Sequence, residues 1–157
     1  MADIGTFPII RNVLVYGDNI TTFTATTAVK AGQVVAINAT GVSNAVDPCV
    51  NTSGCQPVGV ALYGAAAGAL VAVAGTGCVV TIANADDTAT FDAGDVLEGN
   101  DNTVGGTVSV SSVAASGGAT ATAHPFVVGY AEEDIAASGT GRMRIQIMPQ
   151  NYQVNSS

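Results

Sequence analysis

The sequence predicts an all-β protein, a compact β-barrel or sandwich-like domain assembled from two related β units behind an extended N-terminal arm. Three observations carry this expectation. Valine and isoleucine number 31 against 4 leucines, and branching at Cβ disfavours helix while packing well on a pleated surface. Strand-like runs of about 5–6 residues alternate with glycine turns at roughly 8–12-residue spacing, the pattern of a sandwich or barrel. A turn-and-strand motif then recurs 62 positions later in the chain.

Residues 1–18 form the arm. Ile4, Phe7, Ile9, Ile10, Val13, Leu14, Val15 and Tyr16 follow neither a period of 2 nor one of 3.6, and Pro8 blocks a central strand. The segment reads as an extended stretch that lies on a partner, with a short strand near Val13 to Tyr16, or alternatively as an ordinary first strand of the domain. Ile4, Phe7, Ile9 and Ile10 are its candidate contacts with a partner surface, since a proline-broken segment can hardly turn all four into one core.

The β domain spans 19–148. Ile20 to Thr27 reads as a strand, Val29-Lys-Ala-Gly32 as a turn, and Gln33 to Asn38 as the next strand. Ser43 to Gln56 reads as a polar loop. Val58 to Tyr63, Leu70 to Ala74 and Cys78 to Ile82 complete the first half. Lys30-Ala-Gly-Gln-Val-Val-Ala-Ile-Asn38 then aligns with Asp92-Ala-Gly-Asp-Val-Leu-Glu-Gly-Asn100, with Ala, Gly, Val and Asn identical. Gln56-Pro-Val-Gly-Val-Ala61 likewise resembles the run from His124 to Ala131. These matches define a pseudo-repeat near 30–82 and 92–147. Ser109 to Ala123 holds small residues and reads as a loop or shallow strand pair. Met143, Ile145 and Ile147 alternate with Arg142, Arg144 and Gln146 as a final strand. Residues 149–157 form a polar tail.

Composition excludes several functions. Twelve acids against four bases give a net charge of −8, so no basic patch exists to neutralise phosphates, and an anionic membrane would repel the chain. Charged residues make up only 10%, which suggests a surface partly covered by other protein. The first residues lack the cationic start and apolar run of a secretory signal, which predicts folding in a host cytoplasm. Cys49, Cys55 and Cys78 are an odd number. They read as three reduced thiols, with a Cys49–Cys55 bridge left open. The 38 uncharged residues between Asp47 and Asp86 include Ala61 to Val80, long enough to span a bilayer. Glycine breaks and the lack of basic or tryptophan anchors make this strand, turn and strand instead.

Chemistry is sparse. His124 is the lone histidine, with no Gly-x-Ser-x-Gly elbow. No phosphate-loop or dinucleotide fingerprint occurs. Asp86, Asp87, Asp92, Asp95, Glu98 and Asp101 cluster without calcium-loop spacing, and a glycosidase cleft would need more aromatic lining than this chain holds. They read as solvated turn residues. No enzyme, cofactor or metal site is expected.

The succession Thr27-Ala-Val-Lys-Ala-Gly-Gln-Val-Val-Ala-Ile-Asn-Ala-Thr-Gly41, polar loop, Gln56-Pro-Val-Gly-Val-Ala, small-residue turn and Leu70-Val-Ala-Val-Ala74 resembles the tailed-bacteriophage capsid cement, or head decoration, proteins. The resemblance covers about 20–82 closely and 92–147 through the repeat. It implies a virion structural protein, often a homotrimer, on the outer capsid surface, which stabilises the shell by bridging neighbouring major capsid subunits. It implies no catalytic residues, nucleic acid or membrane. Two readings of other classes stand beside it. One is a carbohydrate-binding β domain of a viral or cell-surface fibre, resting on the acidic run. The other is a small membrane protein such as a holin, resting on Ala61 to Val80.

Overall fold

The computed structural model describes residues 7–37, 43–49, 56–85, 88–99, 106–110 and 127–147. Among them are eleven strands and no helix, as the β-branched composition requires. The strands are β1 (Leu14–Tyr16), β2 (Ile20–Ala25), β3 (Val34–Ile37), β4 (Ala45–Pro48), β5 (Gln56–Ala61) and β6 (Leu70–Ala74). They continue with β7 (Val79–Ala83), β8 (Val96–Gly99), β9 (Val108–Val110), β10 (Val127–Ala131) and β11 (Thr140–Ile145).

Strands β2-β4-β3-β5-β6 close into a barrel, and β1-β7-β11-β10-β8-β9 form a six-stranded sheet. A parallel bridge from Asn84 to Val108 brings β9 back to the end of β7. Five strands of the sheet thereby run in the same cyclic order as the barrel. The register recurs as well as the order. Val35 pairs with Gly59 and with Pro48; Leu97 pairs with Gly129 and with Val110. The bridge Val29–Ala65 has its counterpart in Phe91–Ile135. Gly32 N–H donates to Ala61 O at 2.8 Å, and Gly94 N–H to Ala131 O at 2.8 Å. The turn before each strand is pinned alike, by Gln33 Oε1 on Lys30 N–H and by Asp95 Oδ2 on Asp92 N–H, both at 2.8 Å.

Matching positions face matching interiors, filled differently. Val29, Val35, Ala65 and Val73 pack inside the barrel. Phe91, Leu97, Ile135 and Met143 occupy the corresponding places in the second unit. That larger core also takes in Val34, Ala36, Val60 and Ala74 from the barrel's outer face, together with Cys49, Cys78, Phe7, Ile10 and Val13. One hydrophobic cluster therefore joins the two units, and the arm is part of it.

One expectation changes. The segment Ser43 to Gln56 is not wholly a loop: Ala45 to Pro48 form β4, with Ala45 and Val46 fully buried between β2 and β3. Ala61 to Val80 folds as the strand, turn and strand expected, taking in the end of β5, all of β6 and the start of β7, and no helix among the described residues is long and apolar enough to cross a membrane. Within the arm, β1 joins the sheet through β7. Residues 111–123 and the tail 149–157 lie outside the described residues.

Candidate functional site

Of the residues on which chemistry was weighed, those the structure describes sit within the fold's own turns, strands and core. Asp92 and Asp95 belong to the turn that launches β8, and Asp134 Oδ1 accepts from Ala93 N–H at 2.9 Å. Glu98 is buried on β8. Asp86, Asp87, Asp101, Cys55 and His124 lie outside the described residues. Among those described, no three histidine, cysteine or acidic side chains converge as metal ligands. Cys49 and Cys78 are buried, and Cys78 Sγ donates to Asn19 O at 3.6 Å.

The arm divides in two. Phe7 (4% exposed) and Ile10 (7%) sink into the protein's own core, whereas Ile9 is 85% exposed. This corrects the expectation that all four apolar arm residues meet a partner. Gly32 explains part of it: a Cβ there would come within 2.5 Å of Ile10 Cδ1, so the missing side chain leaves the slot that Ile10 fills. Pro8 keeps the segment out of a ladder, so strict strand alternation does not apply and Phe7 and Ile10, three apart, share the core while Ile9 stays outside. Ile4 lies outside the described residues.

Exposed apolar groups continue from Ile9 along β1, where Leu14, Val15 and Tyr16 all reach solvent. A three-residue strand exposed throughout has no internal reason to be so apolar. The sequence reading placed a strand here but not its exposure, because period carries no signal over three residues.

Beyond β1 the pairing sets Tyr16, Val79, Arg144, Tyr130 and Val96 in one row across five strands. Arg144 Nε donates to Glu132 Oε2 at 2.8 Å, and Nη1 to Gly77 O at 3.3 Å. The hydrogen bond to Glu132 raises the guanidinium pKa above its ordinary value. Arg142 and Glu133 form a second pair at 3.2 Å. Val96, Val127, Gly129, Tyr130 and Gln146 line a groove of about 280 Å³ beside this row. Tyrosine and arginine, the side chains of Tyr16, Tyr130 and Arg144 in this row, are residue types enriched where proteins meet. Nothing in the arrangement pairs a nucleophile with a base.

Comparison with known proteins accords with this. No curated protein matches the chain. Among solved structures, the chain is similar to the head fiber gp8.5 N base of bacteriophage phi29. Identity is 19%, with a TM-score of 0.51 over 81% of this chain and 92% of that one, a likeness of fold. The model of the phage cement protein family matches residues 15–147, from the end of β1 through β11. An all-β protein matched by that model over residues 15–147 belongs to the phage cement protein family.

Proposed function

We propose that this protein binds the outer surface of the assembled phage capsid as a homotrimer and stabilises the shell by bridging neighbouring major capsid subunits, with no catalytic step. It would be made in the host cytoplasm and carried in the virion. The observation that carries the reading is the apolar strip Ile9, Leu14, Val15 and Tyr16, exposed beside two arm residues that anchor it to the core. Family membership supplies the capsid as partner. A protein that recognises two subunits only in their assembled spacing favours the assembled state by RT ln(1 + [L]/Kd), about 2.7 kcal/mol at a hundredfold excess over Kd. Linked copies in a trimer strengthen this through effective concentration.

The test mixes purified protein with undecorated shells and measures binding and shell melting. Wild-type protein should decorate and raise the melting temperature. Ile9→Asp should fold normally and decorate more weakly. Undiminished decoration by I9D removes the arm from the contact. A particle map with isolated single copies touching one subunit each would refute both the trimer and the bridging.

A further inference from the structure

Among the described residues, the internal repeat leaves one strand edge without the cover its counterpart has. β7 in the second unit corresponds to β2 in the barrel: Asn84 N–H donates to Gly139 O at 2.9 Å where Ala25 N–H donates to Ala69 O at 2.9 Å. The N-terminal half of β7 is covered on its outer edge by β1, paired with Val79 and Val80, and Thr81 N–H donates to Val13 O at 2.8 Å. The corresponding half of β2 is Ile20, Thr21 and Thr22. There β4 meets β2 only at Thr24 and Ala25, and no described strand lies on that edge nearer the N-terminus. Burial differs accordingly. Val79 and Val80 are buried, whereas Ile20 is 41% exposed and Thr21 and Thr22 are exposed.

The backbone there is set to pair. Thr24 N–H faces away from β6, donating to Asn44 O at 2.9 Å, and strand alternation turns Thr22 the same way. The Asn44 side-chain amide reaches Thr22 O at only 3.5 Å on the exposed surface, a contact easily displaced. Open edges are ordinarily blunted by charge, proline or a bulge. β1 carries a bulge between Leu14 and Tyr16. Ile20 to Ala25 holds no charge and no proline, and its register with β6 is unbroken.

From this we infer that the edge of β2 over Ile20–Thr22 is a second docking site, which takes an extended, uncharged strand of the major capsid protein, antiparallel, as β1 lies on β7. The inference rests on the capsid-binding reading and gives it a contact distinct from the arm. A second copy of this chain is the less suitable donor, because the strands at the ends of its six-stranded sheet, β1 and β9, are only three residues long and β1 is bulged. In such edge addition main-chain hydrogen bonds supply affinity and alternate side chains specificity.

Two variants test it. Thr22→Pro removes the edge-facing N–H, which the β2–β6 ladder does not use. Ile20→Lys places a charge beside the edge. Leu70→Lys, at an exposed site on β6, is the control. Each is checked for fold by circular dichroism, for self-association by sedimentation, and for binding to undecorated shells. T22P and I20K should fold, and their shell affinity should fall about tenfold or more while L70K binds as wild type. Should T22P fail to fold, I20K decides alone. Folded edge variants that decorate as well as wild type overturn the proposal and leave capsid binding standing. Variants that lose self-association but keep decoration also overturn it, since the occupant is then a second copy. Failure of the wild type itself to bind shells overturns the capsid reading and this one together.

Discussion

Gly59 and Gly129 make the same contact in the two units: a Cβ on Gly59 would collide with the carbonyl oxygen of Ala74, and one on Gly129 with that of Arg144. Each glycine sits beside a register shift, between β3 and β5 and between β8 and β10. The backbone carbonyl cannot swing aside without breaking the adjoining ladder. Gly59→Ala and Gly129→Ala should therefore each destabilise by about 3 kcal/mol or more, at the upper end of overpacking costs. At this chain length that lowers Tm by roughly 2–4 °C per kcal/mol. Gly64→Ala meets only Val29 O at 3.4 Å and should change Tm little. Thermal unfolding of the three variants checks the ordering.

Phe7 and Ile10 should behave as core residues although they precede the first strand. Ile10→Ala should cost about 2–5 kcal/mol, and Phe7→Ala about 3–5 kcal/mol, as for other buried large-to-small changes. Ile9→Ala, at an exposed site, should stay within about 0.5 kcal/mol. Deleting 2–10 removes both anchors and should lower the denaturation midpoint markedly. If that truncated protein melts with the wild type, the arm contributes nothing to the core.

The pair Arg144–Glu132 should matter less for stability than its 2.8 Å separation suggests. Both side chains are partly exposed, 36% and 26%, so solvent screens the attraction. A double-mutant cycle with Arg144→Met and Glu132→Gln should give only a small coupling, decreasing with salt. A large coupling that salt leaves unchanged would show the pair to be far better shielded from water than its exposure indicates.

The all-β class, the final strand Thr140–Ile145 and the turns before β3 and β8 were legible because β-branched alternation and Ala-Gly pairs are local signals. β4 was hidden. Ala45-Val-Asp-Pro48 has a polar setting and no alternation, and its burial comes from β2 and β3 on either side. The split within the arm was illegible for a related reason. Ile9 and Ile10 are chemically identical, and only the slot above Gly32, distant in sequence, separates core from surface. The open edge of β2 needed both units side by side, since it is defined by what β1 does to β7.

Asn84 provides the sharpest test of how the second unit departs from the first. It is fully buried and stands where the barrel has Ala25. Its Nδ2 donates to Ala89 O at 2.8 Å and to Ala136 O at 3.2 Å, tying the segment before Phe91 to the turn before β11. Asn84→Ala leaves these carbonyls without that donor and should cost about 1–3 kcal/mol. Asn84→Asp is the more telling change, because an ionised carboxylate would face two acceptors. In the folded variant the protonated carboxyl is favoured, since only that form can donate, so its folded pKa lies above the unfolded value of about 3.9. The folded state then binds more protons than the unfolded one above that value, and stability falls as pH rises. N84D should accordingly approach N84A or better it near pH 4 and fall below it at pH 7, relative to wild type at each pH. Urea titrations at the two pH values check this. Equal losses for N84D at both would show that Asn84 Nδ2 is not the donor these carbonyls depend on.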